Sequence, residues 1–170
     1  MKNTFLKLIG TAAMTILMLA MFAQIQVSAQ QEPPEDLTKR DLAQALEGSW
    51  DVQVTIFNCQ TGALLRPTFP AMGTFMRGGT MQEFGVGSGL LRAPGHGVWS
   101  YQSGRSFYNT FQFFRFNADG TFAGKQIVRR QIEVSRFRNS FTAVSASEIF
   151  NPAGILIATG CSTESATRFE

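Results

Sequence analysis

The stretch Gly48-Ser49-Trp50-Asp51-Val52-Gln53-Val54-Thr55-Ile56-Phe57-Asn58-Cys59 decides the fold. Taken by twos, Trp50, Val52, Val54 and Ile56 share one face, and Asp51, Gln53 and Thr55 share the other. That alternation is the period of a half-buried strand. A glycine opens the stretch, a large aromatic anchors it, and one of the chain's two cysteines ends it. It reads as the first strand of a closed antiparallel barrel.

Working outward, the rest of the chain divides at its turn residues. Gly78-Gly79 separates 72–77 from 80–86 as a hairpin, and Ser103-Gly104 separates a short strand, 98–102, from 106–117. Asn117-Ala118-Asp119-Gly120 leads into a long strand, 121–135, and 140–150 and 155–169 meet across Asn151-Pro152-Ala153-Gly154. Eight strands in sequence with short connections predict an all-β, eight-stranded antiparallel up-and-down barrel. Closure is the usual way for such a meander to remove its exposed edges. Before the first strand, Thr38-Lys39-Arg40-Asp41 has capping-box spacing, followed by Leu42, Ala43, Ala45 and Leu46. A short N-terminal helix is expected there, with Leu42 and Leu46 lying across one end of the barrel.

The register can be tested from residue numbers alone. In an eight-strand meander the first and last strands run antiparallel, so partners share a constant index sum. Cys59 with Cys161 gives 220 and Trp50 with Arg168 gives 218, agreement to within one diagonal step. Trp50 and Arg168 then face inward, and Cys59 and Cys161 face outward as a disulfide across the seam.

Residues 1–29 read as an export signal. Lys2 and Lys7 precede an apolar run, and Val27-Ser28-Ala29 offers small residues for cleavage. Residues 30–36, QQEPPED, read as a disordered leader, and 37–170 as one barrel domain. The implied location is secreted or periplasmic, a compartment that permits disulfides. Loss of Lys2 and Lys7 lowers the formal charge from +3 to +1, which leaves no electrostatic footprint for nucleic acid. Stable membrane insertion is not expected either. The outward set Lys125, Arg129 and Glu133 is charged where an outer-membrane barrel needs an apolar band.

Gly48-Ser49-Trp50 after a short helix resembles the Gly-x-Trp motif of the lipocalins and the wider calycin group. In that group a basic residue of the last strand packs over the tryptophan, a role the resemblance assigns to Arg168. The Thr-Asp-Tyr signature of lipocalins has no counterpart, so the likeness is to the calycins at large. Allene oxide cyclase-like and dirigent-like barrels share the same strand count and remain alternatives.

Parity along the long strand turns Phe122, Gly124, Gln126, Val128 and Arg130 inward. An inward arginine needs an acidic partner or a bound anion, because an unpaired buried charge costs several kcal/mol. Glu164 and Glu83 are the partners expected, and Arg130, Gln126, Phe122, Val128, Glu164 and Glu83 together are the candidate ligand-binding set. Resemblance to fatty-acid carriers adds a second role for Arg130, a ligand carboxylate beneath an apolar tail. Ala143, Ser145 and Ser147 share a face whose direction the sequence leaves open. Phe107, Phe111, Phe113, Phe114 and Phe116 fall on both faces of one strand. The outer ones await a cover, either the N-terminal helix or another subunit of a homo-oligomer.

His96, between two glycines, reads as a solvated loop residue, and 85–97 as a rim loop or lid. Two cysteines and one histidine do not make a closed metal site, and no cofactor is implied. The expected function is non-catalytic binding of a small, largely apolar ligand. The alternatives are an isomerase or cyclase using Glu83, Glu164, Tyr101 or His96, and a structural or partner-binding barrel.

Overall fold

The computed structural model describes residues 40–169, apart from the side chains of 88–90. Eight strands run β1 (Gly48–Phe57), β2 (Phe69–Met76), β3 (Thr80–Gly85), β4 (Gly95–Ser103), β5 (Ser106–Phe116), β6 (Phe122–Val134), β7 (Ser140–Phe150) and β8 (Leu156–Arg168). Each pairs antiparallel with the next, and β1 pairs with β8, so the sheet is a closed up-and-down barrel. The seam holds one register throughout, from Trp50 opposite Arg168 to Phe57 opposite Cys161. Cys59 lies just past the end of that ladder and is bonded to Cys161, with the two Cα atoms 5.2 Å apart.

One end of the barrel is packed shut. Trp50, Phe75, Trp99, Phe107 and Phe141 are all buried there. Their rings meet edge to face, Trp50 to Phe141 at 4.9 Å and Phe75 to Trp99 at 6.2 Å between centroids. Such pairs add to plain burial because ring edges and faces carry opposite partial charge. Leu46, fully buried, plugs the same end, and its carbonyl accepts the indole N–H of Trp50 at 2.9 Å. Arg168 covers the indole with its guanidinium 4.3 Å from the ring centroid. It also donates to the carbonyls of Glu47, Ala45 and Arg138 at 2.6, 2.8 and 3.0 Å. Gly48 is a glycine for two reasons. Its φ is +115°, and a Cβ there would stand 2.7 Å from Nη1 of Arg168.

Several expectations are corrected in detail. The N-terminal helix appears only as a helical turn at 40–43 followed by turns at 44–46; Thr38 and Lys39 of the capping box, the expected signal and the leader lie outside the described residues. β2 starts earlier than expected, at Phe69-Pro70, a strand beginning where the missing amide of proline is tolerated. His96 is not in a loop. It sits in β4 opposite Gln82 and Gln112, exposed on the outer face. The rim segment 86–91 is a turn of 3-10 helix.

Phe122 points out rather than in. Its ring lies on that of outward Phe114, 5.8 Å between centroids, and it is 47% exposed. The cause is a bulge at Gly124, where φ is +115° and the pairing with β5 slips by one residue. An extra residue reverses the parity of everything beyond it. A Cβ on Gly124 would meet the carbonyl oxygen of Phe150 at 2.0 Å, so the bulge needs glycine.

Candidate ligand-binding site

The other end of the barrel is open because its inner wall is uneven. Ala71, Gly73, Gly85, Gly95 and Gly97 face inward from β2, β3 and β4, while Phe111 and Phe113 project from β5. A Cβ on Gly95 would stand 2.8 Å from the Phe111 ring, so the glycines are what make room for it. The cavity left between the walls is about 250 Å³. Val54, Ile56, Phe111, Phe113, Val128 and Ile149 give it an apolar lining. Ser147 also lines it and Ser145 is buried, which turns that face of β7 inward.

Between cavity and packed end lies a polar layer. Arg130, 2% exposed, donates from Nη1 to Oε2 of Glu164 at 2.5 Å and from Nε to Oδ1 of Asn109 at 2.8 Å. Ser145 donates its hydroxyl to the other Glu164 oxygen at 3.2 Å. The guanidinium also lies 4.6 Å from the centroid of the Phe111 ring. Beside this group Glu83 pairs with Arg92, both nearly buried, and Arg92 stacks 3.7 Å from the Phe113 centroid. Burial raises the Glu83 carboxyl above its ordinary range; the Arg92 and then the Arg130 guanidinium oppose that shift, and the neighbouring charge of Glu164 adds to it.

Of the six candidates read from sequence, Glu83, Gln126, Val128 and Glu164 line the cavity, and Arg130 lies beneath it. Phe122 does not contribute, for the reason given by the bulge. The pairing that sequence left open resolves as Arg130 with Glu164 and Glu83 with Arg92. Sequence reasoning missed Arg92 and Arg66. Both come from irregular segments, where no hydrophobic period tells which way a side chain points. Arg66 lines the mouth with its guanidinium 4.6 Å from the Phe69 ring centroid. The 3-10 segment fixes that ring from behind, since a Cβ on Gly87 would stand 2.4 Å from it.

Buried side-chain nitrogens without a partner among the described residues are Nε of Arg66, Nδ2 of Asn109 and Nη2 of Arg130. All three are donors. Among the described residues there is no group of three or more His, Cys, Asp or Glu placed to hold a metal ion, and no helix long and apolar enough to cross a membrane.

No protein-family model matches the chain, and no curated protein matches it. Solved structures do. One, described as EF1p2_mFAP2b bound to DFHBI, superposes with a TM-score of 0.52 at 17% identity. The match covers 74% of this chain and 95% of that one. The likeness is one of fold.

Proposed function

We propose that the protein is an exported, calycin-like barrel that binds a small, largely apolar molecule in its open end without chemical change. The observation that carries this reading is the cavity of about 250 Å³, walled by phenylalanine, valine and isoleucine above a polar floor in which Arg130 is paired with Glu164. A barrel end that excludes water from apolar walls gains binding energy from any fitting apolar solute, at roughly 25 cal/mol per Å² removed from water. The solved barrel on which it superposes is described as bound to DFHBI, which supports a ligand-binding reading of this barrel's open end. Export is supported by the signal-like sequence of 1–29 and by the Cys59–Cys161 disulfide.

The test is titration with an environment-sensitive apolar dye. The protein should bind it saturably, and Val128→Trp, which fills the cavity, should abolish binding while leaving the fold intact. Equal binding by the variant would place the dye elsewhere and refute the reading.

One observation favours the catalytic alternative, a buried carboxyl whose pKa is raised within a cavity. The other residues weighed for catalysis do not converge on it. His96 faces outward, and Tyr101 packs on Phe107, 5.5 Å between centroids, beside the closed-end cluster. No turnover should therefore depend on Glu83, which Glu83→Gln checks.

A further inference from the structure

Three arginines meet the cavity or its floor, and each lies over a phenylalanine: Arg130 over Phe111, Arg92 over Phe113 and Arg66 over Phe69. Two carboxylates answer them. Glu164 neutralises Arg130 and Glu83 neutralises Arg92. Arg66 has neither an ion pair nor a hydrogen bond among the described residues, and its Nε is buried against the cavity mouth. A buried N–H without an acceptor costs stability that a ligand oxygen recovers. The position is well defined, because Phe69 holds the guanidinium and Gly87 packs against Phe69.

Resting on the binding function above, we infer that the ligand is a small monocarboxylate held head-out: its carboxylate on Arg66 at the mouth, its apolar part down against Phe111, Phe113 and Val128. The orientation follows from charge. Deeper in the barrel Glu83 and Glu164 line the cavity, and an anion pushed between them would meet two acidic side chains. The unpartnered Nη2 of Arg130 and Nδ2 of Asn109 belong to residues that do not line it, whereas Arg66 does. At the mouth it meets the one cavity arginine without an acidic partner among the described residues. Size restricts the tail. A cavity of about 250 Å³ lies below the roughly 300–1,000 Å³ usual for drug-sized ligands, so the tail is a short chain or a single ring.

Calorimetric titration of the purified protein with octanoate and octan-1-ol separates head from tail. Octanoate should bind at least tenfold more tightly than octan-1-ol. Arg66→Gln should remove that difference and Arg66→Lys retain most of it, with thermal unfolding confirming that both variants fold. Hexadecanoate should bind no better than octanoate, although a long enough cavity would add about fourfold per buried methylene. If octan-1-ol binds as well as octanoate and Arg66→Gln changes neither, the carboxylate inference is overturned while apolar binding stands. If octanoate keeps its preference in Arg66→Gln but loses it in Arg130→Gln, the head sits at the floor and the orientation is wrong. If neither compound binds, the apolar cavity reading fails and takes this inference with it.

Discussion

Arg130 on β6 and Glu164 on β8 reach each other inside the barrel, across the inner face of the intervening β7, with 2.5 Å between Nη1 and Oε2. Their side chains are 2% and 4% exposed, so the pair is cut off from solvent screening. Removing one partner leaves the other charged in an apolar interior. Arg130→Leu or Glu164→Leu alone should destabilise the protein by about 3–5 kcal/mol, whereas replacing both together should cost markedly less. Urea unfolding of the two single variants and the double variant checks this; additive losses would mean that the pair does not act as a unit.

Glu83 makes stability depend on pH in the opposite sense to a typical salt-bridged acid. Burial holds its pKa above the ordinary 4.5, so between that value and its raised one the folded chain keeps a proton the unfolded chain has released. Its contribution is complete below the ordinary value and is lost as pH rises through the raised one. Urea midpoints measured from about pH 4 to pH 7 should show this decline in the parent, and Glu83→Gln should flatten it. An unchanged slope in Glu83→Gln would assign the pH dependence to another group.

At the closed end, Arg168 combines three charged hydrogen bonds to carbonyls with a stack on Trp50. Arg168→Met keeps length and loses all of it. The expected cost is roughly 2–4 kcal/mol, less than three times the about 1.5–3 kcal/mol of a charged hydrogen bond plus the stack, because these bonds are exposed or only part-buried and water replaces much of what is lost. Arg168→Lys should recover only part, because one ammonium cannot serve three carbonyls in the plane of a guanidinium fork. Thermal melts of both variants decide this, and indole fluorescence reports whether Trp50 becomes wet.

The Cys59–Cys161 bond spans 102 residues at the open end of the seam. Cross-links over loops of that length stabilise by roughly 4–5 kcal/mol in the chain-entropy account. Reduction, or Cys161→Ser, should lower the unfolding midpoint accordingly. Because the β1–β8 ladder stops at Phe57 and Cys161, it should also loosen the mouth before the closed end. Hydrogen exchange should then quicken at Ile56 and Phe57 and stay slow at Trp50 and Val52.

These contrasts also show what could be read from residues alone. The ring was legible because strands carry a period of two and because Trp50, Arg168, Cys59 and Cys161 constrain one register at both ends of one seam. The offset of two between the two index sums has a plain cause: the ladder ends at Phe57, and Cys59 reaches Cys161 from the loop beyond. Parity failed at Phe122, since one extra residue reverses the positions on its far side, here those before Gly124. Gly124 was a visible warning of a bulge, but a glycine does not say by how much the register slips. The cavity's chemistry was legible only where strands supply it, at Glu83, Gln126, Val128, Arg130 and Glu164. Arg66 and Arg92 arrive from segments whose direction depends on packing against Phe69 and Phe113, which no local pattern encodes.

Glycine substitutions separate the parts of the site that can yield from those that cannot. On Gly87 a methyl group would strike only the far edge of the Phe69 ring, and a ring can swing. Gly87→Ala should therefore fold with little loss, displace Phe69 and Arg66, and change ligand affinity at the mouth. On Gly97 a methyl group would stand 2.1 Å from the carbonyl oxygen of Thr110 and 2.5 Å from the Cα of Phe111. Both atoms belong to the paired strand, with Gly97 directly opposite Phe111. Relief requires the β4–β5 ladder to part, so Gly97→Ala should cost at least the roughly 1–3 kcal/mol of an overpacked core. Equilibrium unfolding should rank Gly97→Ala far below Gly87→Ala. The reverse order would mean that the inner wall of β4 has room for a methyl group, and that glycine is there for a reason other than the approach of Phe111.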